Sequence, residues 1–551
     1  MRIDVGRLII EADSGGRITS VAPRRRPDRP YLADVEIGAC RRAGVDVSWT
    51  ERSVEIDADE IALHLLSAGL ELTVRHSFST GWTTRLLIVN TGSDEARLDR
   101  ISLIVRPAAG HRVSAQAAGS RLCWAAQPVD GEGPLLAARL TAGAVDRVTD
   151  EALELGPLRL AAGQRYVAQL RWELFATPRS VVVGPGRDVL VERTAYEVGE
   201  AVLLPADPDA ALVTPAGVDV DLVEDAEHSG REVFALEPGR HRVELRSADG
   251  DVRLDLRWVR PLAEQLARWS ADVLAGPRTP AGIVALEALP DALVLQAALG
   301  AGDVNDVDQA ADALDRLTAR LIDAASGEDP TPAPPPLSVL YLLGEHGRTG
   351  DDDVLTVALD HEDRLLAVSG PPPPGLGLAV LRTVLAVGGT SRQDRLAPLL
   401  SRAVQRLERL PGGYAGHSGD QAAELELLLA VRPLLPADHP AGRRVLTLVR
   451  ALGAALGGGL PGRLLTLPPV AEGAHSVAVL RMLPEQGSAE PGLVEVTRSW
   501  GASPSVLAHR QTLELLERLT DPATDDPPST GGPTSAVGAA AAWLALVPRH
   551  G

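Results

Sequence analysis

The chain has 551 residues, 45% of them hydrophobic, and a formal charge of −20 from 54 cations and 74 anions. Its length exceeds one ordinary domain, and its apolar content excludes wholesale disorder. The acidic balance argues against nucleic acid or an anionic membrane as the main partner, and no basic or aromatic-rich patch stands out against it.

Every cation is arginine; lysine is absent. Schiff-base chemistry, and with it pyridoxal phosphate, is therefore excluded. So is the phosphate-cradling loop that requires a lysine. Cys40 and Cys123 lack metal-ligand spacing and read as small buried hydrophobes. The sequence calls for no cofactor and no metal. The first residues alternate apolar and polar and meet acids early, unlike a signal peptide. No apolar run of ~18 residues is present. The expected location is the cytoplasm.

Residues 1–179 read as β. Short runs rich in Val, Ile, Leu and Thr recur at Arg2–Ile10, Arg17–Val21, Val45–Thr50, Ala62–Leu66, Glu71–Ser77, Thr83–Val89, Ile101–Val105, Leu135–Leu140 and Arg165–Trp172. Each is bounded by Gly, Asp, Asn or Pro, as in an antiparallel sandwich. Asn90–Glu95 reads as a hairpin turn. Residues 180–259 hold seven further short runs and read as a smaller, immunoglobulin-like sandwich, the alternative being that these strands complete one large sandwich. Trp49, Trp82, Trp124, Trp172 and Trp258 are expected in the sandwich cores.

After Pro261 the period changes from two to 3.6. Amphipathic helices are expected at 261–275, 304–325, 352–368, 393–410, 440–457 and 503–519. Helices apolar on nearly every side are expected at 282–299, 337–346, 375–388, 420–434, 474–483 and 535–547. Helices of the second kind are buried. Their alternation predicts an α/α toroid of about six hairpins over residues 260–551, with the apolar helices as the inner ring. Gly- or Pro-rich loops at Pro332–Pro336, Pro371–Gly375, Pro411–Gly419, Gly457–Gly462 and Pro527–Pro533 would turn the chain between rings.

The fold class is thus β-sandwich followed by α/α toroid. In domain layout it resembles glycoside hydrolases and phosphorylases that join an N-terminal galactose-mutarotase-like supersandwich to a six-hairpin toroid. Asp13–Val21 looks like the opening strand-turn-strand of such supersandwiches, and Thr83–Val105 is similar in style. The resemblance implies a carbohydrate-active, glycosidase-like hydrolase or a catalytically degenerate relative. Two alternatives stay open: a non-enzymatic scaffold that binds a protein partner, and a prenyl- or terpenoid-binding toroid. Gly412-Gly413-Tyr414 is similar to the Gly-Gly-aromatic of the latter, but their DxDD acid motif is absent.

A glycosidase needs two carboxyl groups across the scissile bond. Asp420 and Glu424 lie one turn apart at the start of an inner helix, with Tyr414 and His417 just ahead. Glu472 and His475 hold the corresponding place before the next inner helix. Asp420, Glu424 and Glu472 are therefore the catalytic candidates, and Tyr414, His417 and His475 the substrate-binding ones. Acids at helix starts also serve as caps and complement the helix dipole. Glu345 and His346 read as the polar end of an inner helix, and Asp351–Asp353 as a solvated helix start. His361 and Asp363 are expected to face solvent.

Overall fold

Strand Trp82–Asn90 shows how the sequence builds the first region. Trp82, Thr84, Leu86, Ile88 and Asn90 point inward, and the residues between them point out or lie half-buried. That is the period-two pattern of a strand with one face on a core. In this computed structural model the residues described are 1–67, 69–149, 151–183, 191, 193–205, 211–224, 229–247, 250–275, 289–325, 335–388, 393–409, 418–436, 439–483, 491–520 and 534–546. Tyr414 and His417 lie outside them. The chain forms two compact units. One comprises Met1–Val259 with Gly453–Leu467 and Arg498–Ser503; the other holds the remainder.

In the β unit, two large antiparallel sheets enclose one core. One runs Arg2–Val5, Leu8–Ala12, Ile18–Pro23, Leu32–Arg42, Arg100–Pro107, Ala152–Leu155 and Arg147–Val148. The other includes His111–Ala118, Arg121–Pro128, Leu135–Ala142, Arg165–Phe175, Trp82–Asn90, Leu70–Ser77, Glu60–Ser67 and Thr50–Ile56. Trp82 stacks on Trp172 at 4.4 Å, and Trp124 meets Trp172 edge-on at 5.7 Å. Trp49 departs from expectation, being only half-buried at the core margin. The run Arg2–Ile10 is a hairpin, broken at Gly6.

Asn90–Glu95 is a crossing between sheets rather than a hairpin, since Ala96–Leu98 pairs with Leu158–Leu160. Buried Asn90 donates to the carbonyls of Asp94 and Leu160, which fixes the crossing. Residues 195–259 fold into a four-stranded and a three-stranded sheet. Leu204, Val233, Val243, Leu256 and Trp258 lie at the centre of the core between them.

The helical unit has a closed ring of apolar helices: α1 (Leu289–Ala301), α2 (Pro336–Thr349), α3 (Leu376–Val387), α4 (Ser418–Val431), α5 (Val470–Arg481) and α6 (Thr534–Leu546). Each packs on the next, and α6 returns to α1. Amphipathic helices alternate with them, among them Val307–Ala325, Asp352–Ala367, Gln393–Glu408 and Pro504–Thr520. Pro491–Arg498 is a further short helix that periodicity does not predict. Gly377 explains how closely α3 and α4 approach: a Cβ there would collide with the Glu426 backbone.

The glycine loop 457–462 behaves differently from its expected sisters. It belongs to the β unit, where Gly501 N–H donates to the Gly458 carbonyl. No helix among the described residues is long and apolar enough to cross a membrane.

Candidate functional site

Acids inside an apolar ring must be paired or neutralised, because burying an uncompensated charge costs several kcal/mol. Helix α4 carries two of them, Glu424 and Glu426. Two residues apart, they leave opposite sides of the helix. Each finds a different solution.

Glu424 turns to Ala441–Ala455. Arg444 donates from Nε to Oε1 and from Nη2 to Oε2, the latter at 2.6 Å. The carboxylate is buried and the pair is two-pronged. This hydrogen bond also raises the Arg444 pKa. Glu424, a catalytic candidate one turn after Asp420, has both its oxygens engaged by Arg444.

Glu426 turns to α3 and α5. Its Oε2 accepts from Gly375 N–H at 2.8 Å, and its Oε1 from Leu378 N–H at 2.9 Å. Helix α3 begins after Gly375, which is left-handed (φ 96°) and has no side chain to cap with. Glu426 therefore caps α3 from the neighbouring helix. His475 Nε2 lies 3.0 Å from the same Oε2. An ionised carboxylate only accepts, so Nε2 is the donor in this pair. His475 Nδ1 is buried and has no hydrogen-bond partner among the described residues. Trp543 of α6 packs on the imidazole at 4.6 Å between ring centres.

His475 and Glu472 lie inside α5, not in a loop before it, because the helix starts at Val470. Asp420 and Glu472 occupy the first turns of α4 and α5 and are both half-buried. Their helix starts come together: a Cβ on Gly419 would lie 3.4 Å from Glu472 Cδ. The Glu472 carboxyl thus rests against the turn that carries Asp420.

Three other expectations change. Glu345 is fully buried, held by Gln296 at 2.6 Å and by Arg348, so it is a packing residue within α2 rather than its polar end. His361 is buried, and burial lowers its pKa. Asp363 is half-buried and paired with Arg402. Asp351 caps its helix by accepting from Asp353 N–H at 2.8 Å. Among the described residues no cluster of three or more His, Cys, Asp or Glu is arranged to hold a metal.

Sequence reasoning missed Glu426 and Trp543. The signal for Glu426 was present in the run Glu424-Leu425-Glu426-Leu427: an acid in mid-helix, apolar on both sides, requires a buried partner. No local signal names that partner, because His475 and Gly375 are about 50 residues away in opposite directions.

No protein-family model and no curated protein matches this sequence. The fold aligns with that of a polysaccharide lyase over 93% of each chain, with TM-score 0.68 and 11% sequence identity. The β-then-α layout is thus shared with a carbohydrate-active enzyme. An alignment to Salmonella alpha-2-macroglobulin reacted with methylamine covers all of this chain and 50% of that one, at TM-score 0.27 and 10% identity, and carries no argument.

Proposed function

We propose that the protein cleaves glycosidic bonds in a polysaccharide, using Asp420 and Glu472 as its acid/base pair. The observation that supports this reading is the approach of the Glu472 carboxyl to the first turn of α4, beside Asp420. Asp420 makes no ion pair or hydrogen bond to a described residue. In hydrolysis one carboxyl group protonates the departing oxygen and the other activates water.

The test uses the full chain on a panel of neutral and acidic polysaccharides, scored for new reducing ends. Asp420→Asn and Glu472→Gln are each expected to lower turnover about 100-fold, with thermal unfolding unchanged. Cleavage of nothing in the panel, or full turnover in both variants, would sink the reading. An unsaturated uronate at the new non-reducing end would replace hydrolysis with elimination, in which the base removes the proton beside the carboxylate.

A second reading is a catalytically silent carbohydrate-binding relative. One observation favours it: Glu424 and Glu426 both hold helices together. It predicts oligosaccharide binding without turnover.

A further inference from the structure

We propose that a concave surface of the β unit binds the carboxylate of a sugar acid, that is, one hexuronate residue of an acidic saccharide. This deepens the carbohydrate reading by naming a substrate class. It rests on that reading for the sugar and on the arginines alone for the charge.

The surface encloses about 420 Å³. Five arginines border it: Arg7 from the first hairpin, and Arg24, Arg25, Arg26 and Arg29 from the turn after Ile18–Pro23. Sequence reading passed over this run because the chain as a whole is so acidic. Two of the five are engaged. Arg29 donates to Asp130 at 2.7 Å, and Arg24 lies 3.8 Å from Asp4. Arg7, Arg25 and Arg26 make no ion pair with a described residue, although acids outnumber cations by 74 to 54 in this chain. Guanidinium groups bordering a hollow are a ready receptor for a carboxylate, which they grip in two-pronged fashion, although Glu132 borders the same hollow.

The floor suits a sugar ring. Tyr31 is buried and donates its hydroxyl to the Pro134 carbonyl at 2.6 Å. His111 meets its ring edge-on at 5.1 Å. Pro23, Pro128 and Leu174 add apolar wall for the C–H face of a pyranose. The volume lies at the small end of ligand sites and holds one or two sugar units. An extended polyanion such as nucleic acid would meet a long-range repulsion from a net charge of −20, which a short saccharide with few charges largely avoids.

The test is calorimetric titration of the full chain with a hexuronate trisaccharide, its neutral counterpart and inorganic sulfate. The acidic trisaccharide is expected to bind about tenfold or more tightly than the neutral one, and to weaken with added salt. Arg25→Ala/Arg26→Ala should lower its affinity about tenfold, and Arg25→Lys/Arg26→Lys should recover part of the loss. Both side chains are exposed, so the fold should survive, as thermal unfolding would verify. Unchanged affinity in the double alanine variant overturns the proposal. So does sulfate binding as tightly as the trisaccharide, which would make this an inorganic-anion site. Loss of binding in Glu472→Gln, with none in the arginine variant, would place the saccharide at the toroid mouth instead. Arginine-dependent binding without any cleavage would uphold this site while the enzymatic reading fails.

Discussion

Glu426→Ala is expected to destabilise the helical unit by about 3–5 kcal/mol, the range for stranding partners of a buried charged group. The carboxylate satisfies Gly375 N–H, Leu378 N–H and His475 Nε2 at once. Residue 375 has no side chain to replace it as a cap, and Glu426 and His475 are both buried. Loss of a cap alone costs about 1 kcal/mol, and each stranded buried donor about 1–3 kcal/mol. These terms overlap, so their sum overstates the effect. Glu426→Gln keeps one acceptor oxygen and should cost roughly half as much. The two units need not unfold together, so a global melting curve is a poor measure. Hydrogen exchange of the α3 amides reports the local loss directly. Protection of those amides unchanged in Glu426→Ala would refute the cross-helix cap.

The second expected result concerns pH. Glu362 is almost fully buried, and burial pushes its pKa from 4.5 up to about 7. The Thr383 hydroxyl donates to Oε2, while Oε1 has no partner among the described residues. Nearby Asp363 adds a smaller push in the same direction. Below the ordinary value of 4.5 the group is protonated in both folded and unfolded chains and affects stability little. As pH rises from there to about 7, the unfolded chain ionises while the folded one holds its proton. Stability therefore falls across that window, by about 3 kcal/mol in total, and then levels off.

Glu362→Gln removes this slope. The variant should match the wild type near pH 4.5 and exceed it by up to about 3 kcal/mol near pH 8. Denaturant titrations of both proteins across that range provide the check. Parallel stability curves would show that Glu362 does not carry the linkage.

Much of the fold is legible in the sequence. The change of period at Pro261 marks where helix Leu262–Ala275 begins, and the short strand Arg463–Leu464, which pairs with Ser114 and Ala115, is the exception it does not announce. The contrast between all-apolar and amphipathic stretches separates α1–α6 from the helices around them. That contrast is local: a helix apolar on every side has no choice but burial. The candidate site was less legible. Asp420 and Glu472 stood out by position alone, and the approach of their helix starts follows from ring closure, which no short window contains.

What the sequence determined by itself was the period and polarity of each segment, hence the β-then-α order. What tertiary structure alone decided was partnership. Glu424 and Glu426 are chemically identical and two residues apart. One became an ion pair with Arg444 and the other the cap of α3 with His475 on its flank. Arg7 came beside Arg25 and Arg26 because Leu8–Ala12 pairs with Ile18–Pro23. Periodicity records which face a residue turns inward; which group it then meets depends on contacts between distant segments, and those exist only once the rings and sheets have closed.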